Sequence, residues 1–155
     1  MLQRIQSIYF LLASLALYAL FLFPLVHNVY VDGKPVSLMV TGVYQDVNGQ
    51  ASHTQFFIAL TIATAIVGLI PLIIIFLYKN RKQQILLGYI TMLIIFGHTF
   101  WMAQEVKQIM GDAQIDTRNA GIGILLSTIS LAFIVLAIKA IQRDEKLIKS
   151  ADRLR

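Results

Sequence analysis

The chain has 155 residues, of which 57% are hydrophobic and 14% charged, with a mean hydropathy of +0.72. A soluble domain is nearer half apolar and a quarter charged, so this composition argues against a water-soluble protein. The net charge of +5 is better explained by basic residues on one side of a membrane than by nucleic-acid binding. The absence of cysteine excludes disulfides, thiolate nucleophiles and cysteine-ligated metal sites.

Four apolar segments follow one another along the chain, at about residues 8–26, 56–78, 85–103 and 120–138. Each is close to the length of about 20 residues that crosses a hydrocarbon core about 30 Å thick. Because lipid offers no hydrogen-bonding partners, the backbone of each segment must be helical. The sequence therefore predicts an all-α membrane protein: one four-transmembrane-helix antiparallel bundle over residues 1–155.

The first segment also has features of a signal peptide, namely a weak basic start at Arg4 and a small-x-small pattern at residues 14–16. That pattern lies inside the apolar run rather than after it, so we expect a retained helix. Proline removes a hydrogen bond from a helix. Pro24 should therefore kink or end this helix, and Pro71 should bend the second one.

The first outer loop, at about residues 28–54, has the composition of a small β-structure. β-Branched and aromatic residues dominate stretches 29–31 and 36–44, with the turn sequence DGKP at 32–35 between them. Asn-Gly at 48–49 is a second turn signal. We expect a small β-hairpin or three-stranded sheet that rests on the outer ends of the helices.

Basic residues predict the orientation in the membrane. With the N-terminus inside, the inner segments hold ten lysines and arginines and the outer loops hold three, which predicts that both termini are cytoplasmic. The connection at 79–82 is so short that the second and third helices must form a hairpin. The second outer loop, 104–119, is polar and acidic. The ten inner residues are Arg4, Lys79, Arg81, Lys82, Lys139, Arg143, Lys146, Lys149, Arg153 and Arg155.

The C-terminal tail, residues 139–155, is predicted to continue the fourth helix into the cytoplasm with a basic face. Its five basic residues are spaced by three or four, which places them on one side of a helix. Two interpretations stay open. The face contacts anionic lipid headgroups, or it docks a protein or RNA-containing partner. The five residues are Lys139, Arg143, Lys146, Lys149 and Arg153.

The three histidines, His27, His53 and His98, are all predicted to lie near the outer interface. If they converged they would suit a metal ion or haem, with His98 the first residue to test. Isolated histidines that bind water or backbone are commoner, so we assign no metal and no cofactor. The sequence places no acid or base in the middle of a span, which argues against pumps, proton-coupled transporters and intramembrane proteases.

Both ends of the chain carry a family resemblance. MLQRIQSIYFLLA at 1–13 and IQRDEKLIKSADRLR at 141–155 resemble small four-span proteins of Bacteroidota, a domain of unknown function family numbered 4293. The resemblance implies a bacterial inner membrane and outer loops that face the periplasm, and it supplies no activity or catalytic residues. In shape alone the chain is similar to claudin-type four-helix proteins, although its first loop has no tryptophan and no cysteine pair.

Three functions are weighed on these observations. The leading expectation is a non-enzymatic accessory or scaffolding subunit of a larger inner-membrane complex, which binds other membrane subunits through the periplasmic loop and the basic tail. The alternative is a redox subunit that holds haem, quinone or metal at the outer interface. A lipid-modifying enzyme is a third possibility, but no nucleophile and base can be paired for it.

Overall fold

The computed structural model describes residues 3–31, 34–47, 50–111 and 119–152, and it is mostly helical with a small antiparallel sheet. Asp32 and Gly33 of the first predicted turn, both residues of the second, and residues 112–118 of the second outer loop lie outside the described residues. The elements are α1 (Gln3–Ala19), β1 (Val26–Val31), β2 (Lys34–Met39), β3 (Gly42–Val47), β4 (Gln50–Phe56), α2 (Ile58–Phe76), α3 (Arg81–Met110) and α4 (Ile122–Asp152).

Three of the described helices are long and apolar enough to cross a membrane: α2, α3 and the part of α4 at Ile122–Ile148. Their mean hydropathies are 2.7, 1.7 and 2.4, so the chain has the helices of a membrane protein. The apolar part of α1, Ile5–Ala19, is shorter. α2 continues through Pro71, and α4 continues through the predicted cytoplasmic tail as one helix.

The first helix ends seven residues before the predicted limit of its span at 26. After Ala19 the chain makes a turn and reaches Pro24, and the backbone N–H of Leu25 then donates to the carbonyl of Leu38 in β2, at 2.8 Å. Leu20, Leu25 and Val26 are all buried. Their apolar character therefore serves the core at the junction of the sheet and the helices, and not a longer helix.

The sheet is an antiparallel meander of four strands in the order β1-β2-β3-β4, one more than the largest sheet predicted. The additional strand arises because a turn at Val40 and Thr41 divides the predicted stretch 36–44 between β2 and β3. The strand after the second predicted turn is β4, whose sequence QASHTQF has little intrinsic strand preference. Its conformation comes from pairing along β3, from Gly42 opposite Phe56 to Val47 opposite Gln50. Val36, Leu38 and Val43 are buried, which directs one face of the sheet towards the core.

Backbone hydrogen bonds fasten the sheet to two helices. Phe57, immediately before α2, donates to the carbonyl of Thr41 at 3.0 Å. At the start of α4, the N–H groups of Gly121 and Gly123 donate to the carbonyls of Leu25 and Pro24, at 2.9 and 3.0 Å. A Cβ atom on Gly121 would collide with the carbonyl oxygen of Pro24, so this approach requires glycine.

The helices pack in a ring in which α1 contacts α2 and α4, and α3 also contacts α2 and α4. Glycine allows two of these contacts to be close: Gly68 lies against the ring of Tyr18, and Gly88 lies against Ile138. Hydrogen bonds add to them, because Ser14 Oγ donates to the carbonyl of Gly68 at 2.7 Å. Small residues and buried hydroxyls are the usual means of helix association where apolar burial gives little driving force.

Candidate functional site

His98 lies deeper between the helices than the sequence predicted. It is twelve residues, or about 18 Å, before the end of α3, because α3 continues to Met110. Its side chain is only 5% exposed, and its Nε2 atom lies 2.8 Å from Oγ1 of Thr64 on α2. Thr64 is three residues, about 4.5 Å, from the middle of α2. One ionisable group therefore lies close to the centre of a long apolar helix.

The hydrogen bonds of Thr64 define the role of each His98 nitrogen. The Thr64 hydroxyl donates to the carbonyl of Leu60 at 2.7 Å. In the tautomer that carries its proton on Nε2, His98 donates to the same hydroxyl oxygen. Nδ1 of His98 is buried and has no hydrogen-bond partner within the described part of the chain. The imidazole thus joins α3 to α2 through one nitrogen.

His53 occupies a different environment, in β4. Its ring stacks on Tyr44 with 4.3 Å between centroids and 5° between planes, and it contacts Phe56 at 3.8 Å. These three residues line an open cavity of about 340 Å³ at the junction of the sheet and α2. Nε2 of His53 is buried and unpartnered among residues 3–31, 34–47, 50–111 and 119–152. This ring is packed as part of an aromatic cluster.

The three predicted histidines have separate neighbours and do not form one site. His27 is half-buried in β1, while His53 stacks in β4 and His98 bonds to α2. No group of three His, Asp or Glu side chains in the described structure is arranged to hold a metal ion. The geometry thus offers no support for the convergent metal or haem site.

The predicted basic face begins at a level of α4 where this helix still lies beside α1, and not beyond the bundle. Lys139 and Arg143 line a cavity of about 290 Å³ between α1 and α4, which Tyr9 and Asp144 also line. Lys146 is exposed further along α4 and is not among the residues that line this cavity. The side chain of Lys149 and all of Arg153, which complete the predicted face, lie outside the described residues.

Asp144 and the cavity were not predicted from the sequence, although the sequence pattern of α4 contains a signal for the burial of Asp144. Asp144 is only 8% exposed, in the middle of a strongly basic segment. It extends a buried stripe along α4 whose spacings alternate between four and three, the pattern of a helix face packed on its neighbours. That stripe shows that α4 still packs on the bundle where the basic face begins. Its members are Ser130, Ile134, Ala137, Ile141 and Asp144.

The level of this cavity follows from contacts between antiparallel helices. Ser130 Oγ donates to the carbonyl of Ala13 at 3.0 Å, which aligns α4 with α1. Ile138 lies eight residues after Ser130, and Ile5 lies eight residues before Ala13. Because the two helices are antiparallel, Ile138 and Ile5 are at the same height along the bundle. Ile138 also packs on Gly88 of α3, seven residues after the α2–α3 connection ends at Arg81. The cavity therefore lies at the same end of the bundle as the basic connection 79–82.

Comparison with known families gives a match over nearly the whole chain. The model of a family described as "Domain of unknown function (DUF4293)" matches residues 2–154, nearly the whole chain. No curated protein matches the chain at a significant level.

Proposed function

We propose that this chain, which belongs to the DUF4293 family, is a four-span adaptor of a bacterial inner membrane. In this proposal it is a non-enzymatic scaffolding subunit of a larger membrane complex. It holds a recognition sheet on the periplasmic side and a basic helix on the cytoplasmic side, with both termini in the cytoplasm. The proposal has two parts, the number of spans and the role.

The packing of α1 supports four spans over three. Ser14 of α1 bonds to Gly68, which is one residue from the middle of α2, and Ala13 accepts from Ser130 of α4. α1 therefore lies in the same layer as the apolar centres of its longer neighbours. Its 17 residues span about 26 Å, a little less than a hydrocarbon core of about 30 Å. The apolar turn after Ala19, residues 20–23, adds length at its outer end.

The continuity of α4 is the single observation that carries the adaptor role. Its first turn is hydrogen-bonded to Pro24 and Leu25, where the chain enters the sheet. The same helix then continues unbroken through 31 residues, about 46 Å, to Asp152. One rigid element thus connects the sheet to the basic segment. A partner bound at either end meets a surface whose position is fixed relative to the other end.

The two ends of the bundle expose different groups, which favour different kinds of partner. Tyr30 on β1 is 69% exposed, and exposed aromatic residues are enriched at protein interfaces. The cytoplasmic end instead presents Lys146 on exposed helix, which suits acidic surfaces. The redox alternative has no comparable observation in its favour, because His27, His53 and His98 have separate neighbours.

Quantitative co-purification from the native host tests the adaptor role. We expect the full-length chain, extracted in mild detergent, to recover other membrane subunits in constant ratio. A chain truncated after Ile141 should lose those bound at the cytoplasmic end, and Tyr30→Ser should lose those bound at the sheet. Tyr78→Ser is the matched control, since Tyr78 is an exposed tyrosine at the opposite end of the bundle. Recovery of this chain alone, under conditions that preserve other complexes, would contradict the proposal.

A further inference from the structure

We propose that the cavity between α1 and α4 binds the headgroup of a single anionic phospholipid, with phosphatidylglycerol the best-matched chemistry. Lys139 and Arg143 hold the phosphodiester, and a glycerol hydroxyl donates to the carboxylate of Asp144. This inference uses the four-span arrangement proposed above but is independent of the adaptor role. In this arrangement Lys139 and Arg143 hold one lipid in a defined site, instead of contacting the membrane surface diffusely.

The cavity lies where a headgroup would be. It is level with the basic connection 79–82, which the positive-inside rule assigns to the cytoplasmic interface. Below it, Leu125, Ile129 and Leu136 of α4 are 60%, 41% and 43% exposed and share the helix face of Lys139 and Arg143, so an apolar surface continues from the cavity towards the centre of the bundle. A lipid with its headgroup in the cavity would lay an acyl chain along that surface.

The charges of the cavity match one phosphodiester. Lys139 and Arg143 are four residues apart, so they lie on the same side of α4, and both are exposed enough to reach a lipid. The arginine fork can bind two phosphate oxygens at once, and lysine adds a point charge. With Asp144, the described residues of the lining carry a net charge of +1, which one singly charged headgroup neutralises.

Asp144 discriminates between headgroups. A buried carboxylate is unfavourable unless a donor satisfies it, and Asp144 is 8% exposed on the wall of this cavity. Glycerol supplies hydroxyl donors beside the phosphate, whereas choline supplies none. Ethanolamine supplies a donor, but its positive charge cancels that of the phosphate and leaves the lining unneutralised. The order of preference expected is therefore phosphatidylglycerol, then phosphatidylethanolamine, then phosphatidylcholine.

The remaining lining suits the neutral part of a lipid. Ile5, Leu136 and Ala140 form an apolar wall, and the phenol of Tyr9 lies among them. Ala140 leaves space on α4 between Lys139 and Arg143. A larger side chain at this position would fill the cavity without altering its charge, which separates a shaped site from a charged surface.

Native mass spectrometry on the purified, delipidated chain tests the site with the three lipids named. We expect one phosphatidylglycerol to bind at concentrations at which phosphatidylcholine does not. The double variant Lys139→Gln/Arg143→Gln should weaken that binding by about thirtyfold, as two cations near a headgroup would. Lys146→Gln is the matched control: it removes one charge from the same helix outside the cavity, and its effect should stay below about twofold.

A second pair of variants keeps all charges. Ala140→Phe should abolish the bound phosphatidylglycerol, and Ala132→Phe, at an exposed position of the same helix, should not. Circular dichroism and thermal melting establish that each variant is folded. The proposal is overturned if Lys146→Gln weakens binding as much as Lys139→Gln/Arg143→Gln does, if Ala140→Phe binds phosphatidylglycerol normally, or if phosphatidylcholine binds equally. Since no partner protein is present, each of these results leaves the adaptor role untouched.

Discussion

At the scale of single residues, the hydrogen bonds between helices are the most consequential feature. A polar group buried in an apolar bundle is unfavourable unless it is bonded. Thr64 bonds to Nε2 of His98, the carbonyl of Gly68 accepts from Ser14, and the carbonyl of Ala13 accepts from Ser130. The sequence shows each polar residue but not its partner. His98 in particular was predicted to be interfacial, because its depth depends on how far α3 extends and what α2 places opposite.

Replacing Thr64 by valine should test the His98 contact. Valine matches threonine in shape but cannot accept from Nε2–H, so we expect a loss of about 1 kcal/mol in the free energy of unfolding. Denaturant titration in detergent micelles measures it. In a His98→Ala background the same change should cost little, since the partner is gone. Thr91→Val is the matched control, because Thr91 bonds only to Leu87 of its own helix. An equal cost in both backgrounds would contradict the contact.

At the scale of elements, the sheet and the bundle form one unit through the start of α4. The sequence predicted that a small sheet rests on the helix ends, and it is indeed fastened there. What it did not reveal is the short backbone approach at Gly121 and Gly123, which depends on where Pro24 and Leu25 lie in the folded chain. Nor did it reveal the turn at Val40 and Thr41, which divides the predicted stretch 36–44 between β2 and β3.

Gly121→Ala should separate the start of α4 from the sheet. The new Cβ atom would occupy the place of the Pro24 carbonyl oxygen, so we expect a loss of about 1–3 kcal/mol in unfolding free energy, as for other overpacked sites. Gly97→Ala is the control, because no atom lies within 4 Å of a Cβ added there. Alanine in that exposed part of α3 should be neutral or stabilise by about 0.5–1 kcal/mol. Equal melting temperatures of the two variants would refute this account of the junction.

At the scale of the whole molecule, the number of spans decides which surfaces share a side. Three of the helices are long enough to cross a membrane by themselves, and an odd number of crossings would place the termini on opposite sides. If α1 crosses as well, the number of crossings is even and both termini lie on the same side. We infer that α1 crosses from its position between α2 and α4, and not from its length. The adaptor proposal depends on this parity.

Cysteine labelling tests the parity directly, because the native chain contains no cysteine. Ser52→Cys lies on exposed β4 and Ser150→Cys on the exposed end of α4. In spheroplasts, a membrane-impermeant maleimide should label position 52 and leave position 150 unlabelled, as read from the mass of the purified chain. Both positions should label after permeabilisation, which is the control for reactivity. Labelling of position 150 in intact spheroplasts would refute cytoplasmic termini.

Composition and hydropathy alone determined the class of this protein, its apolar helices and the continuation of the last helix into a basic segment. Each of these depends on properties of neighbouring residues alone, namely their summed free energy of transfer out of water and the helical spacing of their side chains. Only the tertiary structure decided that Leu20 and Leu25 are buried outside a helix, that stretch 36–44 is divided between two strands, that His98 is deep and that Asp144 faces a cavity beside two cations. These features depend on partners far away in sequence. Hydropathy records that a residue avoids water, but only packing determines whether lipid, a sheet or another helix covers it.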